Sequence, residues 1–72
     1  MTRFGEYLNK KSIKKAEVSR KTGISPSRLS ELALNESTNL KAEELYLVAL
    51  AIDVNPIEIL EVVFKDLKLI SK

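Results

Sequence analysis

The chain has no cysteine and no histidine, and among its 72 residues there are only two glycines and two prolines. Without cysteine there are no disulfide staples and no thiolate chemistry, and without either residue the commonest metal sites are excluded. Packing alone must hold the fold, which suits a cytoplasmic protein. So few glycines and prolines leave no flexible linker, and no repeat or low-complexity tract is visible. No long apolar run exists either. The longest, Leu45 to Ile52, is far short of the ~20 residues that span a bilayer, and MTRFGEYLNKKS carries no apolar signal segment.

A chain this short is expected to form a single domain over residues 1–72, with a thin core that dimerisation would help. Net charge is only +2, yet it is unevenly placed. Residues 1–28 hold eight Lys/Arg against Glu6 and Glu17, whereas residues 29–72 hold four against eight Asp/Glu. A front half at +6 and a back half at −4 point to a nucleic-acid-facing surface at one end and other uses at the opposite end.

Strand-like alternation is absent, and helical spacing recurs throughout. Phe4, Tyr7 and Leu8 form an i, i+3, i+4 stripe that predicts a helix from Thr2 to Lys11, with Thr2 as N-cap. Gly5 weakens that helix and marks a place where another backbone passes close. A second helix is expected over Lys14 to Thr22, ended by Gly23, which accepts positive φ cheaply. Ser25-Pro26 supplies an N-cap hydroxyl and a first-position proline for a third helix, whose inward face is Leu29, Leu32 and Ala33. Ser27, Arg28, Ser30 and Glu31 are left largely outward.

Asn35 is expected to end the third helix in the left-handed region. Lys41 to Ile52 is apolar nearly all round and predicts a central buried helix. Asn55-Pro56 opens a fifth helix to about Lys68, with one apolar stripe at Leu60, Val63, Phe64, Leu67 and Ile70. A second set, Ile59, Val62 and Leu69, is spare for a globule this small. A two-fold symmetric contact through this helix (Ile59, Val62, Val63, Leu69) is expected to cover it.

Two short helices joined at Gly23 over about residues 14–34 have the layout of a helix-turn-helix. The pattern over about residues 4–62 resembles the Cro/repressor-type, lambda-repressor-like family of DNA-binding domains. SIKKAEVSRKTGIS is similar to that family's second helix and turn, and LYLVALAIDVNPIEIL to its fourth helix, turn and fifth-helix start. The resemblance implies an all-α, compact five-helix domain whose second and third helices form the helix-turn-helix. It further implies a sequence-specific transcriptional regulator, repressor-like, that places helix 3 in the major groove of double-stranded DNA as a homodimer.

Carried over by matching position, Lys15 stands where the family has a phosphate-contacting glutamine. Pro26, Ser27 and Arg28, with Glu31 later, take the exposed positions of the recognition helix, and Ser25 caps it. Arg28 is suited to a phosphate or to guanine O6/N7, Ser27 to a base edge or phosphate, and Glu31 to cytosine N4. Lys14 and Lys15, with Lys10 and Lys11, would clamp phosphates. The sequence departs from the pattern at Pro26, which offers no side-chain hydrogen bond. It departs again at Ala33-Leu34-Asn35 in place of Glu-x-Gly, and at Glu36 in a loop that often carries cations. Those departures support an alternative, a protein-interaction or antitoxin-type subunit that keeps the fold and binds DNA weakly.

An enzyme is not expected. Glu43/Glu44 and Glu58/Glu61 read as solvated helix charges, and a Ser12 dyad with Lys14 or Lys15 would have nothing to depress a lysine pKa. No cofactor or metal is called for. Membrane binding by the fifth helix is disfavoured because Glu58, Glu61 and Asp66 carry the wrong sign for anionic lipid.

Overall fold

A computed structural model describes residues 1–70, and the described chain is all-α. Its helices are α1 (Arg3–Lys10), α2 (Lys15–Thr22), α3 (Pro26–Leu34), α4 (Ala42–Ala51) and α5 (Pro56–Val63). Helix α1 packs on α3 and α5, α2 packs on α3 and α4, and α4 packs on α5. One core joins all five through Phe4, Tyr7, Leu8, Val18, Leu29, Leu32, Leu45, Val48, Ala49 and Ile59. No helix among the described residues is long and apolar enough to cross a membrane.

Local chemistry explains each boundary. Thr2 caps α1 by accepting the Gly5 amide at 3.0 Å, and it also ties α1 to the end of α3. Its hydroxyl lies 2.7 Å from the Leu32 carbonyl and 3.0 Å from that of Ala33. The close approach expected at Gly5 is to Ala33, whose carbonyl oxygen a Cβ on Gly5 would overlap. Small residues therefore let α1 and α3 touch backbone to backbone.

Four expectations fail, one for a local reason and three because of tertiary packing. Asn35 is extended, with φ −105°, rather than left-handed. Its side-chain oxygen accepts the Ser37 amide and hydroxyl at 3.0 and 2.8 Å, and that turn replaces the left-handed cap. Helix α4 is not buried all round. Leu45, Val48 and Ala49 face the core, while Tyr46, Leu47 and Leu50 face out, because a domain this small covers only one side of it.

Helix α5 ends at Val63, about a turn earlier than its apolar spacing predicts. Beyond that point the globule offers nothing to pack against, and Asp66 instead pairs with Arg3 at 3.0 Å. Its phase is also rotated from the expected one. Ile59 is the fully buried residue, Val63 packs beside it, and Leu60 is exposed. The helix packs on α1 and α4, and it is Ile59 that meets the shared core there. Ile59 is therefore core, which removes it from the expected dimer contact, and Val63 is largely withdrawn as well. Val62 and Leu69 remain at the surface, and Ile57 and Leu60 are exposed as well.

Candidate nucleic-acid interface

The α2–α3 pair is built around Gly23, whose φ of 82° permits the left-handed step between the helices. Thr22 closes the same turn twice. Its hydroxyl donates to the Val18 carbonyl at 2.8 Å and accepts the Ile24 amide at 3.1 Å. Val18 and Leu29 then plug the two helices into the core, so their mutual angle is held from inside.

Ser25 caps α3 by accepting the Arg28 amide at 3.1 Å, and Pro26 follows in the first turn, where a missing N–H costs nothing. Ser25, Pro26, Ser27 and Glu31 are exposed, and Ser30 is half-buried between Ser27 and Glu31 on the same face. At the start of α2, Lys14 is exposed at the N-cap and Lys15, the first helical residue, is half-buried, and neither makes an ion pair among the described residues. Four of the seven expected contact residues thus share the start of α3 and its exposed face, and Lys14 and Lys15 stand at the start of α2.

A model of the Cro/C1-type HTH DNA-binding domain matches residues 3–65. The chain belongs to that family. No curated protein and no solved structure matches it. As a Cro/C1-type domain it carries the family's helix-turn-helix in α2 and α3, the unit such domains apply to DNA.

Several side chains of the domain lie where the residues alone do not predict. Arg28, read as an outward contact, reaches across to α4. Its Nε donates to Glu44 Oε2 at 2.8 Å and its Nη2 to Glu44 Oε1 at 3.0 Å. Nη2 also donates to the Asn39 carbonyl at 2.8 Å. Glu44, expected as a solvated charge, is only 13% exposed in its side chain. It also accepts the Lys41 amide at 3.0 Å, the acidic half of a capping box. The Arg28 guanidinium holds the Glu44 carboxyl below the usual carboxylate range, and burial works against it.

Lys11 is committed elsewhere. It lies 3.8 Å from Glu58 and sits over the Tyr7 ring, in a groove between α1 and α5 that Lys10 also lines. Tyr7 donates to Glu58 at 3.1 Å, and burial together with that bond pushes the phenol up to about 12. Glu58, like Glu44, is thus partnered, although its side chain stays 52% exposed. Arg20 pairs with Glu17 one turn away on α2. On the helix-turn-helix side Lys14, Lys15 and Lys21 make no ion pair among the described residues, and Lys21 Nζ lies 3.5 Å from the Ala51 carbonyl.

One signal for Glu44 was present in the residues: it stands three places after Lys41, where a carboxylate reaches back to cap a helix. Nothing in a separation of 16 residues announces its pairing with Arg28. The first part of the α3–α4 loop, residues 35–39, contains Glu36 and no cation; Lys41 follows at the N-cap of α4, and Leu34 is left exposed at the loop's entrance.

Proposed function

We propose that this domain is a cytoplasmic transcriptional regulator of repressor type that binds an operator as a homodimer. Each protomer lays α3 in a major groove, with half-sites about one helical turn, roughly 34 Å, apart. Ser25, Pro26, Ser27, Arg28 and Glu31 form the groove-side surface, and Lys14 and Lys15 grip phosphates. The observation that carries this reading is the exposed start of α3, projecting from a pair locked by the core, with Lys14 and Lys15 at the start of α2 making no ion pair among the described residues. Phosphate contacts fix register, and α3 supplies the choice of sequence.

The second copy is proposed to seat on the outer faces of α4 and α5, where Leu50, Ile57 and Leu60 are exposed. Single exposed apolar residues are ordinary; several on two helices that pack together are what supports a contact there. The same face favours one other reading, a protein-interaction subunit that retains the fold and for which DNA is secondary.

Selection of bound sequences from random duplex DNA at about 0.15 M salt tests the reading. The expected result is a symmetric preference with two half-sites. Binding only at very low salt, with no sequence preference, would remove the regulator reading and favour the interaction subunit.

A further inference from the structure

Arginine on a recognition helix reads guanine by presenting two N–H groups side by side to O6 and N7. The guanidinium carries five N–H groups in a rigid plane, so those already committed are countable. In Arg28 the Nε proton and one Nη2 proton form a fork onto the Glu44 carboxylate, at 2.8 and 3.0 Å. The other Nη2 proton goes to the Asn39 carbonyl at 2.8 Å. Both two-nitrogen edges of the plane are therefore spent, the side edge wholly and the end edge by half. Only the two Nη1 protons remain.

The anchor is also hard to leave. Glu44 is mostly buried, sits in the first turn of α4 and is itself held by the Lys41 amide. Freeing Arg28 to fork onto a base would strand a largely desolvated carboxylate, which is a costly arrangement. A single phosphate oxygen asks far less, because the Nη1 protons reach it with the anchor intact.

We infer that Arg28 is an anchored cation, not the base reader of α3: it pins α3 to α4 through Glu44, offers Nη1 to one DNA phosphate, and leaves base selection to Glu31 with Ser27 and Ser30. Glu44 is then a positioning residue for Arg28. An acceptor-only carboxylate such as Glu31 selects exposed amino groups, cytosine N4 foremost. This inference rests on the DNA-binding reading above.

The test compares selected sequences, affinities and salt dependence for the full chain and three variants. Arg28→Met keeps the aliphatic stem. It is expected to weaken binding roughly tenfold, by the same factor on preferred and random duplexes. It should leave the preferred sequence unchanged and reduce the slope of log affinity against log salt by about 1. Glu31→Ala is expected to relax the preference at one base pair per half-site. Glu44→Gln keeps a hydrogen-bonding group but drops the charge. It is expected to add a guanine preference at one position as the Arg28 fork comes free, an effect that mere loss of stability does not produce.

A guanine preference in the wild type that Arg28→Met abolishes would overturn the inference while leaving DNA binding intact. Glu44→Gln with an unchanged preferred sequence would overturn the positioning role. A wild type that selects no duplex at all would remove the DNA-binding reading itself, and this inference with it. That result is distinct from either of the others.

Discussion

Thr2 and Ala33 are tied at both the backbone and the side chain of Thr2. The Thr2 amide donates to the Ala33 carbonyl at 2.8 Å, and the Thr2 hydroxyl lies 3.0 Å from the same oxygen. This contact anchors the first turn of α1 to the last turn of α3. The Gly5 backbone passes directly over it. The far end of the helix proposed to enter DNA is thus held by the first residues of the chain.

Gly5→Ala tests that contact. Alanine is the better helix former by up to ~1 kcal/mol. Its Cβ would nevertheless overlap the Ala33 carbonyl, which is backbone and yields little. A net destabilisation of about 1–3 kcal/mol is expected, read by thermal or urea unfolding. A variant more stable than wild type would mean that the two helices have room to separate.

Burial separates two isoleucines in the first half of α5. Ile59→Ala is expected to cost about 2–5 kcal/mol, since Ile59 is fully buried in the shared core. Ile57→Ala, at a residue 65% exposed, is expected to change monomer stability by less than about 0.5 kcal/mol. Equal costs at the two sites would contradict the observed phase of the helix.

The proposed dimer face gives an opposite pair of outcomes. Leu60→Glu should leave helicity intact and shift sedimentation from dimer to monomer, because Leu60 is exposed and outside the core. DNA affinity should fall with it, since two linked half-site contacts become one. A Leu60→Glu protein that sediments as the wild type does would place any dimer contact elsewhere.

Acid should weaken the fold in a defined window. Glu44, Glu17 and Asp66 each have a carboxyl lowered by an arginine, Arg28, Arg20 and Arg3 respectively. A carboxyl lowered in the folded state binds protons less readily than in the unfolded chain. Its contribution is therefore complete above the unfolded value of about 4 and is lost as pH falls through the lower folded value. Unfolding free energy should be flat from neutral pH to about 5 and decline below about 4.5, with Glu44→Gln reducing the decline.

The alkaline limb has the reverse cause. Tyr7 titrates near 12 when folded, because of burial and its bond to Glu58. The unfolded phenol ionises near 10. Its contribution is complete below about 10 and is lost between there and the folded value. Tyr7→Phe should remove that part of the high-pH dependence.

Lys15→Ala and Lys14→Ala are expected to weaken DNA binding by similar factors on every sequence and to lower the salt slope by about 1 each. A change confined to one preferred sequence would move these lysines from phosphate to base contact.

Most of the framework follows from local chemistry and was legible in the residues. Thr2, Ser25 and Asn55 each cap a helix with an acceptor in their own side chain, and Gly23 turns the chain because it alone lacks the Cβ that resists positive φ. Such signals act within four residues, so the order and type of the helices can be read without a fold. The phase of α5 and the partner of Arg28 cannot. Two apolar stripes on α5 are equally good helically, and only docking against α1 and α4 chose Ile59 over Leu60. Arg28 looks outward as the third residue of a capped helix, and only the return of α4 beside α3 sets Glu44 within 2.8 Å of it. The sequence by itself determined the elements and, apart from the end of α5, where they begin and stop. Tertiary structure decided which faces and which charges were left for a partner, because burial and ion pairing depend on segments that meet only once the chain has folded.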